Sequence, residues 1–141
     1  MASLARRNAV AAFLREAGWG ALADGGIVVA APTYVQVAVA VALVAPRAFL
    51  ADVEQAARTA LARLFHPVDG GPDGTGWPFG RTPTTADVLR VLDAVDGLDR
   101  VGSVALRPAG ARPLTPLPAD GQVFAETTDI TVIVTAVEAA P

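Results

Sequence analysis

The chain has 141 residues, a formal net charge of −3 and no cysteine, and all of its basic residues are arginines. This length is enough for one compact domain with its own core. The lack of cysteine excludes disulfides and a thiolate nucleophile, the lack of lysine excludes Schiff-base chemistry and a phosphate-loop lysine, and the acidic balance argues against a nucleic-acid partner.

The N-terminal segment predicts an amphipathic helix rather than an export signal. The helix is expected to run from Ser3, a favourable N-cap, to about Ala17, with Gly18 as its stop. Its apolar stripe consists of Leu4, Val10, Ala11 and Leu14. The apolar stretch is too short for a signal peptide because Arg15 interrupts it.

An uncharged run from 25 to 46 has the hydropathy of a membrane span, but its pattern favours a β-strand. Pro32 lies inside the run, and residues 35–42 read VQVAVAVA, with a β-branched residue at every second position. Such a period of two is typical of a strand with two different faces. We therefore expect a strand here and no membrane span.

The two faces of this strand differ in character. The valines are expected to face the core, and the opposite face presents Tyr34, Gln36, Ala38, Ala40 and Ala42. A solvated sheet face usually carries polar side chains, so this uncharged set is a candidate interface, covered by the N-terminal helix or by another subunit. An ordinary surface of an alanine-rich chain explains the pattern equally well.

Two further helices are predicted, one on each side of a glycine-rich loop. The first is expected from Pro46 to about Phe65. Its buried face consists of Leu50, Val53, Ala57, Leu61 and Leu64. After the loop, Thr84 and Asp87 form a capping-box pattern, and Gly97 is expected to end the helix that they begin.

The remaining segments complete a predicted α+β fold. Further strands are expected at 101–106 and 130–137, 122–125 is a candidate short strand before the last of them, and 107–120 is a proline-rich connection. This order predicts a small, mainly antiparallel sheet of about three strands with two helices packed on one face, plus an N-terminal helix. We expect residues 1–24 to form that helix and a linker, and residues 25–141 to form the α+β domain.

The loop His66–Arg81, HPVDGGPDGTGWPFGR, is the most unusual part of the chain. It has no phosphate-loop lysine, and Phe79 stands where a dinucleotide fingerprint needs its last glycine. Two acids, Asp69 and Asp73, are too few for a calcium loop. The same two acids could form the acid–base pair of a glycosidase, which is the enzyme hypothesis. We expect no catalytic, cofactor-binding or metal-ligating residue here.

The loop is expected to act as scaffold. Trp77 and Phe79 would anchor it, Arg81 would offer its planar fork to a nearby carbonyl or carboxylate, and His66 would meet free carbonyls at a helix end. Alternatively, Trp77 and Phe79 form a stacking platform for a small ligand or carbohydrate. The structural motif comprises Pro67, Gly70, Gly71, Asp73, Gly74, Gly76, Trp77, Pro78, Phe79, Gly80 and Arg81.

Three features occur in order along the chain: PTYVQV at 32–37, LFHP at 64–67 followed by GGPDGTGWPFGR at 70–81, and VDGLDRV at 95–101. Together they resemble the C-terminal region of baseplate J-like proteins, the baseplate assembly proteins of contractile phage tails and related injection systems. The resemblance covers about Phe13 to Leu106. Members of that family are usually much longer, and they have a bulkier apolar residue near the position of Pro83.

The resemblance implies a structural role without catalysis or cofactor. The expected partners are other baseplate or wedge proteins, together with sheath or hub proteins, in a homo- or hetero-oligomeric assembly of six-fold symmetry. The resemblance also implies that the chain is present in the bacterial cytoplasm during assembly and afterwards in a virion or phage-tail-like particle.

Overall fold

The computed structural model describes residues 3–17 and 30–138, and the chain divides into two units, Met1–Pro32 and Thr33–Pro141. The first unit contains helix α1 (Leu4–Glu16), whose first turn is capped by the Ser3 hydroxyl accepting the Arg6 N–H at 3.2 Å. The expected helix and N-cap are therefore confirmed. The expected stop at Gly18 and the expected domain boundary after residue 24 lie outside the described residues.

Two of the four residues of the apolar stripe predicted for α1 are exposed. Ala11 is buried and Leu14 is half-buried, but Leu4 and Val10 are exposed. Arg6 and Arg7 lie within the first turn of the helix and interrupt a continuous apolar face there.

The second unit is built around strand β1 (Thr33–Ala45), which occupies the uncharged run. Its alternation is regular, and the core-facing residues Val35, Val37, Val39, Val41, Leu43 and Ala45 are all buried. The prediction of a valine-lined core face is confirmed. None of the helices among the described residues is long and apolar enough to span a membrane.

The sheet has four strands of mixed direction. Strand β2 (Arg100–Pro108) pairs antiparallel with one edge of β1, with a bulge between Ala42 and Leu43. Strands β3 (Gly121–Phe124) and β4 (Ile130–Ala136) both pair parallel with the other edge. The expected α+β class with an N-terminal helix is confirmed. The sheet has four strands rather than about three, and it is mixed rather than mainly antiparallel.

The connection between β2 and β3 explains the mixed sheet. β2 ends opposite Val37, and β3 begins opposite Thr33, near the start of β1. The proline-rich segment between them is long enough to carry the chain from one edge of β1 to the other, so β3 and β4 both run in the direction of β1. Leu114 of this segment is buried in the core.

Two helices cover the valine side of the sheet. Helix α2 (Leu50–Leu64) packs mainly on β4, and helix α3 (Thr85–Leu92) packs on β2 and on α2. The buried face of α2 consists of Val53, Ala57, Leu61 and Leu64, as its periodicity predicts. Two predicted boundaries are wrong: α2 is preceded by a 3₁₀ turn at 47–49, and α3 ends well before Gly97, which has a φ of +83°.

Candidate functional site

The glycine-rich loop folds back onto the end of α2. The Gly71 N–H donates to the Leu64 carbonyl at 2.7 Å, and the Gly70 N–H donates to the His66 carbonyl at 3.0 Å. Within the loop, the Gly76 N–H donates to the Gly70 carbonyl at 2.8 Å. The bond to Leu64 satisfies a carbonyl that the end of α2 leaves free, and the other two fold the loop back on itself.

Two of the glycines are required by the backbone around them. A Cβ on Gly70 would lie 2.4 Å from the carbonyl oxygens of Arg63 and His66. Gly71 has a φ of +78°, and its Cβ would lie 2.3 Å from the Gly76 carbonyl oxygen. Side chains are therefore excluded at both positions by close packing of main chain on main chain.

Trp77 anchors the loop in the core. It is only 2% exposed, and its ring stacks on Phe65, with the ring centroids 5.5 Å apart. Its indole N–H donates to the Arg81 carbonyl at 2.7 Å, which satisfies the polar atom that burial removes from water. The anchor role predicted for Trp77 is confirmed, but the same prediction is wrong for Phe79, which is 61% exposed.

Arg81 joins the end of the loop to the start of α3. Its guanidinium lies 5.5 Å from the centroid of the Trp77 ring and donates to the Asp87 carboxylate at 2.7 Å. The other oxygen of Asp87 accepts from the Thr84 N–H and hydroxyl, each at 2.9 Å. The predicted capping box is thus present. Of the two partners expected for the Arg81 guanidinium, a carbonyl or a carboxylate, the structure has the carboxylate.

Asp87 is the one buried charged residue in the described part of the chain. Burial raises the pKa of its carboxyl, but the hydrogen bonds from Thr84 and the charge of Arg81 together outweigh burial and leave that pKa below its ordinary value. The carboxylate therefore stays ionised inside the loop–helix junction and holds both partners in place.

A residue that the sequence reasoning missed ties the loop to the sheet. The Gln122 side-chain amide, on β3, donates to the Pro67 carbonyl at 2.8 Å and to the Trp77 carbonyl at 3.3 Å. The Gly80 N–H donates to the Gly121 carbonyl at 2.9 Å. The two segments lie more than 40 residues apart in the sequence, and no local pattern signals their contact.

His66 does not meet free carbonyls as expected. Its Nδ1 accepts hydrogen bonds from the backbone N–H groups of Val68 at 3.3 Å and Asp69 at 3.1 Å. The imidazole therefore satisfies two backbone N–H groups at the start of the loop, and not the carbonyls at the end of α2.

The acids of the loop do not form the arrangement that the enzyme hypothesis requires. Asp69 and Asp73 are both exposed, and only Asp69 lines a pocket, beside Arg63 and His66. Among residues 3–17 and 30–138, no group of three histidine, aspartate or glutamate side chains is placed to hold a metal ion. Pro78 and Gly74 are exposed parts of the same loop surface.

The side of the sheet away from α2 and α3 carries the candidate interface residues. Directly paired residues of neighbouring strands share a face, and the register places Ala40 beside Ala105 and Thr131, and Ala42 beside Ser103 and Ile133. We call this set the uncharged face; it comprises Ala38, Ala40, Ala42, Ser103, Ala105, Thr131, Ile133 and Thr135. Its alanines on β1 are partly exposed, and Ile133 is 58% exposed.

The end of the uncharged face near the start of β1 is more polar. Tyr34 packs edge-on against Phe124 with their centroids 6.0 Å apart. The Gln36 amide donates to the Asp129 carboxylate at 2.7 Å. Arg107, opposite Ala38, places a charge at the β2 rim. The five residues predicted as one face do lie together, as a small apolar centre with a polar and aromatic margin.

Comparison with known proteins found no matching family model, no matching curated protein and no matching solved structure.

Proposed function

We propose that this protein is a structural baseplate component of a contractile tail or a related injection system, and that it acts through protein–protein contacts. The proposal combines the three motifs that resemble baseplate J-like proteins with the roles of the residues that carry them. The most specific motif, 70–81, packs Gly70 and Trp77 into the junction of α2, α3 and β3. A motif of this kind positions surfaces rather than reacting groups.

The observation that carries the proposal is the uncharged face. Solvated sheet faces usually carry polar side chains, whereas the centres of protein interfaces are depleted in charge. Three strands here contribute alanine, serine, threonine and isoleucine around Ala40. The charged residues that the same pairing places on this side, Arg107 and Arg100, lie at the two ends of β2. We infer that a neighbouring wedge, sheath or hub protein covers this face in a six-fold assembly, formed in the bacterial cytoplasm and retained in the particle.

The alternative of a carbohydrate- or small-ligand-binding module loses its main support. It requires the rings of Trp77 and Phe79 side by side at the surface. Trp77 is buried against Phe65, and its indole N–H is already bonded within the loop. Of the two rings only Phe79 is exposed, and a single exposed ring is a weak basis for sugar recognition.

The test is affinity purification of the tagged chain from its native host, with mass spectrometry of the proteins that accompany it. We expect sheath, tube, spike or other baseplate proteins to accompany the wild-type chain. Ile133→Asp should reduce their recovery by about tenfold or more, because it places an unpaired carboxylate in a desolvated contact.

The matched control is Val68→Asp. Val68 is also β-branched and is 68% exposed, but it lies on the glycine-rich loop. We expect this variant to recover partners like the wild type, and circular dichroism should show both variants folded. Equal recovery with Ile133→Asp would reject the uncharged face as the interface, and recovery of the chain without any particle protein would reject the assembly role.

A further inference from the structure

A groove of about 630 Å³ runs between α2 and α3 and reaches the glycine-rich loop. Its volume lies within the range of protein binding sites. The apolar lining consists of Ala56, Ala60, Leu64, Val91 and Ala94. The groove lies on the helical side of the unit, so it is separate from the uncharged face on the other side of the sheet.

Two arginines line this groove. Arg63 comes from α2, and Arg90 comes from α3. Neither forms an ion pair with any described residue, whereas Arg58 pairs with Glu54 and Arg81 pairs with Asp87. The groove therefore presents two guanidinium groups with unused donors beside an apolar floor, in a chain whose overall charge is −3.

One acidic residue, Asp69, also lines the groove, and it leaves the lining with a net positive charge. Asp69 lies 3.7 Å from the imidazole of His66, on the loop. The charged groups that α2 and α3 contribute to the lining are therefore both arginines. Guanidinium groups bind carboxylates with two parallel hydrogen bonds, so an anionic partner would complement them.

The shape of the floor favours a helix as the occupant. Ala56, Ala60 and Arg63 lie at positions i, i+4 and i+7 of α2 and follow one side of that helix. Alanine side chains allow the backbone of a neighbouring helix to approach closely. Ala56, Ala94 and both arginines are exposed, so the site is an open groove rather than an enclosed small-molecule cavity.

We propose that this groove binds an amphipathic helix of a partner protein, with apolar side chains on the alanine floor and carboxylates facing Arg63 and Arg90. This is the helix-in-groove mode of recognition, in which anchors at helical spacing fill an apolar channel. The site differs from the uncharged face in chemistry and position. It therefore does not depend on the proposed baseplate role.

The experiment uses the full chain and a designed, fluorescein-labelled peptide of about 15 residues, near the minimum length for a stable helix. The peptide carries leucine at i, i+3, i+4 and i+7 and glutamate on both flanks of that stripe. A second peptide has lysine in place of every glutamate. We expect the glutamate peptide to give saturable binding in fluorescence anisotropy and to bind more than about tenfold tighter than the lysine peptide.

Three variants locate the binding. Arg63→Glu and Arg90→Glu should each weaken binding of the glutamate peptide by about tenfold or more, since each replaces an attraction by a repulsion. Arg47→Glu makes the same charge change at an exposed arginine outside the groove, and we expect it to bind within about twofold of the wild type. All three positions are exposed, and thermal melting checks that each variant folds.

Several results would overturn the proposal. These are a glutamate peptide without saturable binding below about 1 mM, equal binding of the lysine peptide, or an equal loss in Arg47→Glu. Sedimentation equilibrium tests a second copy as the occupant: self-association that Arg63→Glu abolishes would assign the groove to the chain itself. Flotation with anionic phospholipid vesicles tests a membrane surface, and vesicle binding lost in Arg63→Glu would likewise reject a partner helix.

Discussion

Trp77 shows how one aromatic residue holds a glycine-rich segment in a single conformation. Its ring fills the space above Phe65, and its indole N–H closes the loop onto the Arg81 carbonyl. Composition alone identifies two candidate rings, Trp77 and Phe79, but not which of them turns inward. That choice depends on the backbone path set by Gly76 and Gly80, which both have positive φ.

Replacement of Trp77 by alanine is expected to destabilise the protein by about 3–5 kcal/mol, because a large buried ring is lost and a cavity remains. Phe79→Ala is the matched control, since this ring is exposed, and it should change stability by less than about 0.5 kcal/mol. Urea unfolding of both variants measures the difference. A Trp77→Ala curve that overlays the wild type would contradict the anchor role.

Asp87 is expected to make stability depend on pH in the acid range. Its pKa is lowered in the folded protein, so its contribution is complete above the ordinary aspartate value of about 3.9. As the pH falls below that value and through the folded-state pKa, the carboxylate is protonated and its bonds to Arg81 and Thr84 weaken. Stability should therefore fall as the pH falls below about 4.

Asp87→Asn tests this dependence. We expect it to be about 1–3 kcal/mol less stable than the wild type at pH 7, because Arg81 loses its charged partner, with the difference shrinking as the pH falls below about 4. Asp93→Asn, at an exposed site just after α3, should stay within about 0.5 kcal/mol at pH 7. Urea unfolding at several pH values gives the result, and a difference independent of pH would rule out the charge as its cause.

At the scale of elements, the periodic segments were predictable and the connections were not. β1 and α2 each bury one face, so the spacing of their apolar residues in the sequence predicts a strand and a helix. The parallel pairing of β3 and β4 depends on where a proline-rich connection delivers the chain, and no periodicity encodes that. α3 likewise ends at Leu92, five residues before the glycine that the sequence offers as its stop, and the Val95 N–H donates to the Leu92 carbonyl in the turn that follows.

Three glycines of the loop differ in why a side chain is unfavourable: a steric clash of its Cβ, a left-handed backbone conformation, or both. Gly74 has a φ of +70°, but its Cβ would meet nothing closer than 3.9 Å. Gly70 is crowded without needing a positive φ, and Gly71 combines both constraints. Alanine at Gly74 should cost about 1–2 kcal/mol from the left-handed conformation alone.

Alanine at Gly70 or Gly71 should cost at least about 2 kcal/mol more than at Gly74, because main-chain atoms of α2 and the loop must move to admit the Cβ. Thermal or urea unfolding of the three variants ranks them. Similar stabilities for all three would show that the loop adjusts freely and does not hold α2 against β3.

At the scale of the whole molecule, the second unit has two differently built sides. One side is the uncharged face of the sheet, and the other carries the arginine-lined groove between α2 and α3. The alternation in β1 predicts the β1 residues of the uncharged face from the sequence. Ile133 and Ala105 belong to that face only because their strands pair with β1. The groove was not predictable, because Arg63 and Arg90 become neighbours only when two helices meet.

If this chain is a part of a contractile particle, as we propose, it must stay with that particle when the particle is isolated. Density-gradient sedimentation of a native-host lysate, with the chain quantified by mass spectrometry in every fraction, tests this directly. We expect the chain to sediment with sheath and tube proteins in the particle fractions. Finding it only at the top of the gradient, as a free chain of 14.4 kDa while sheath and tube proteins sediment without it, would contradict a role in the particle.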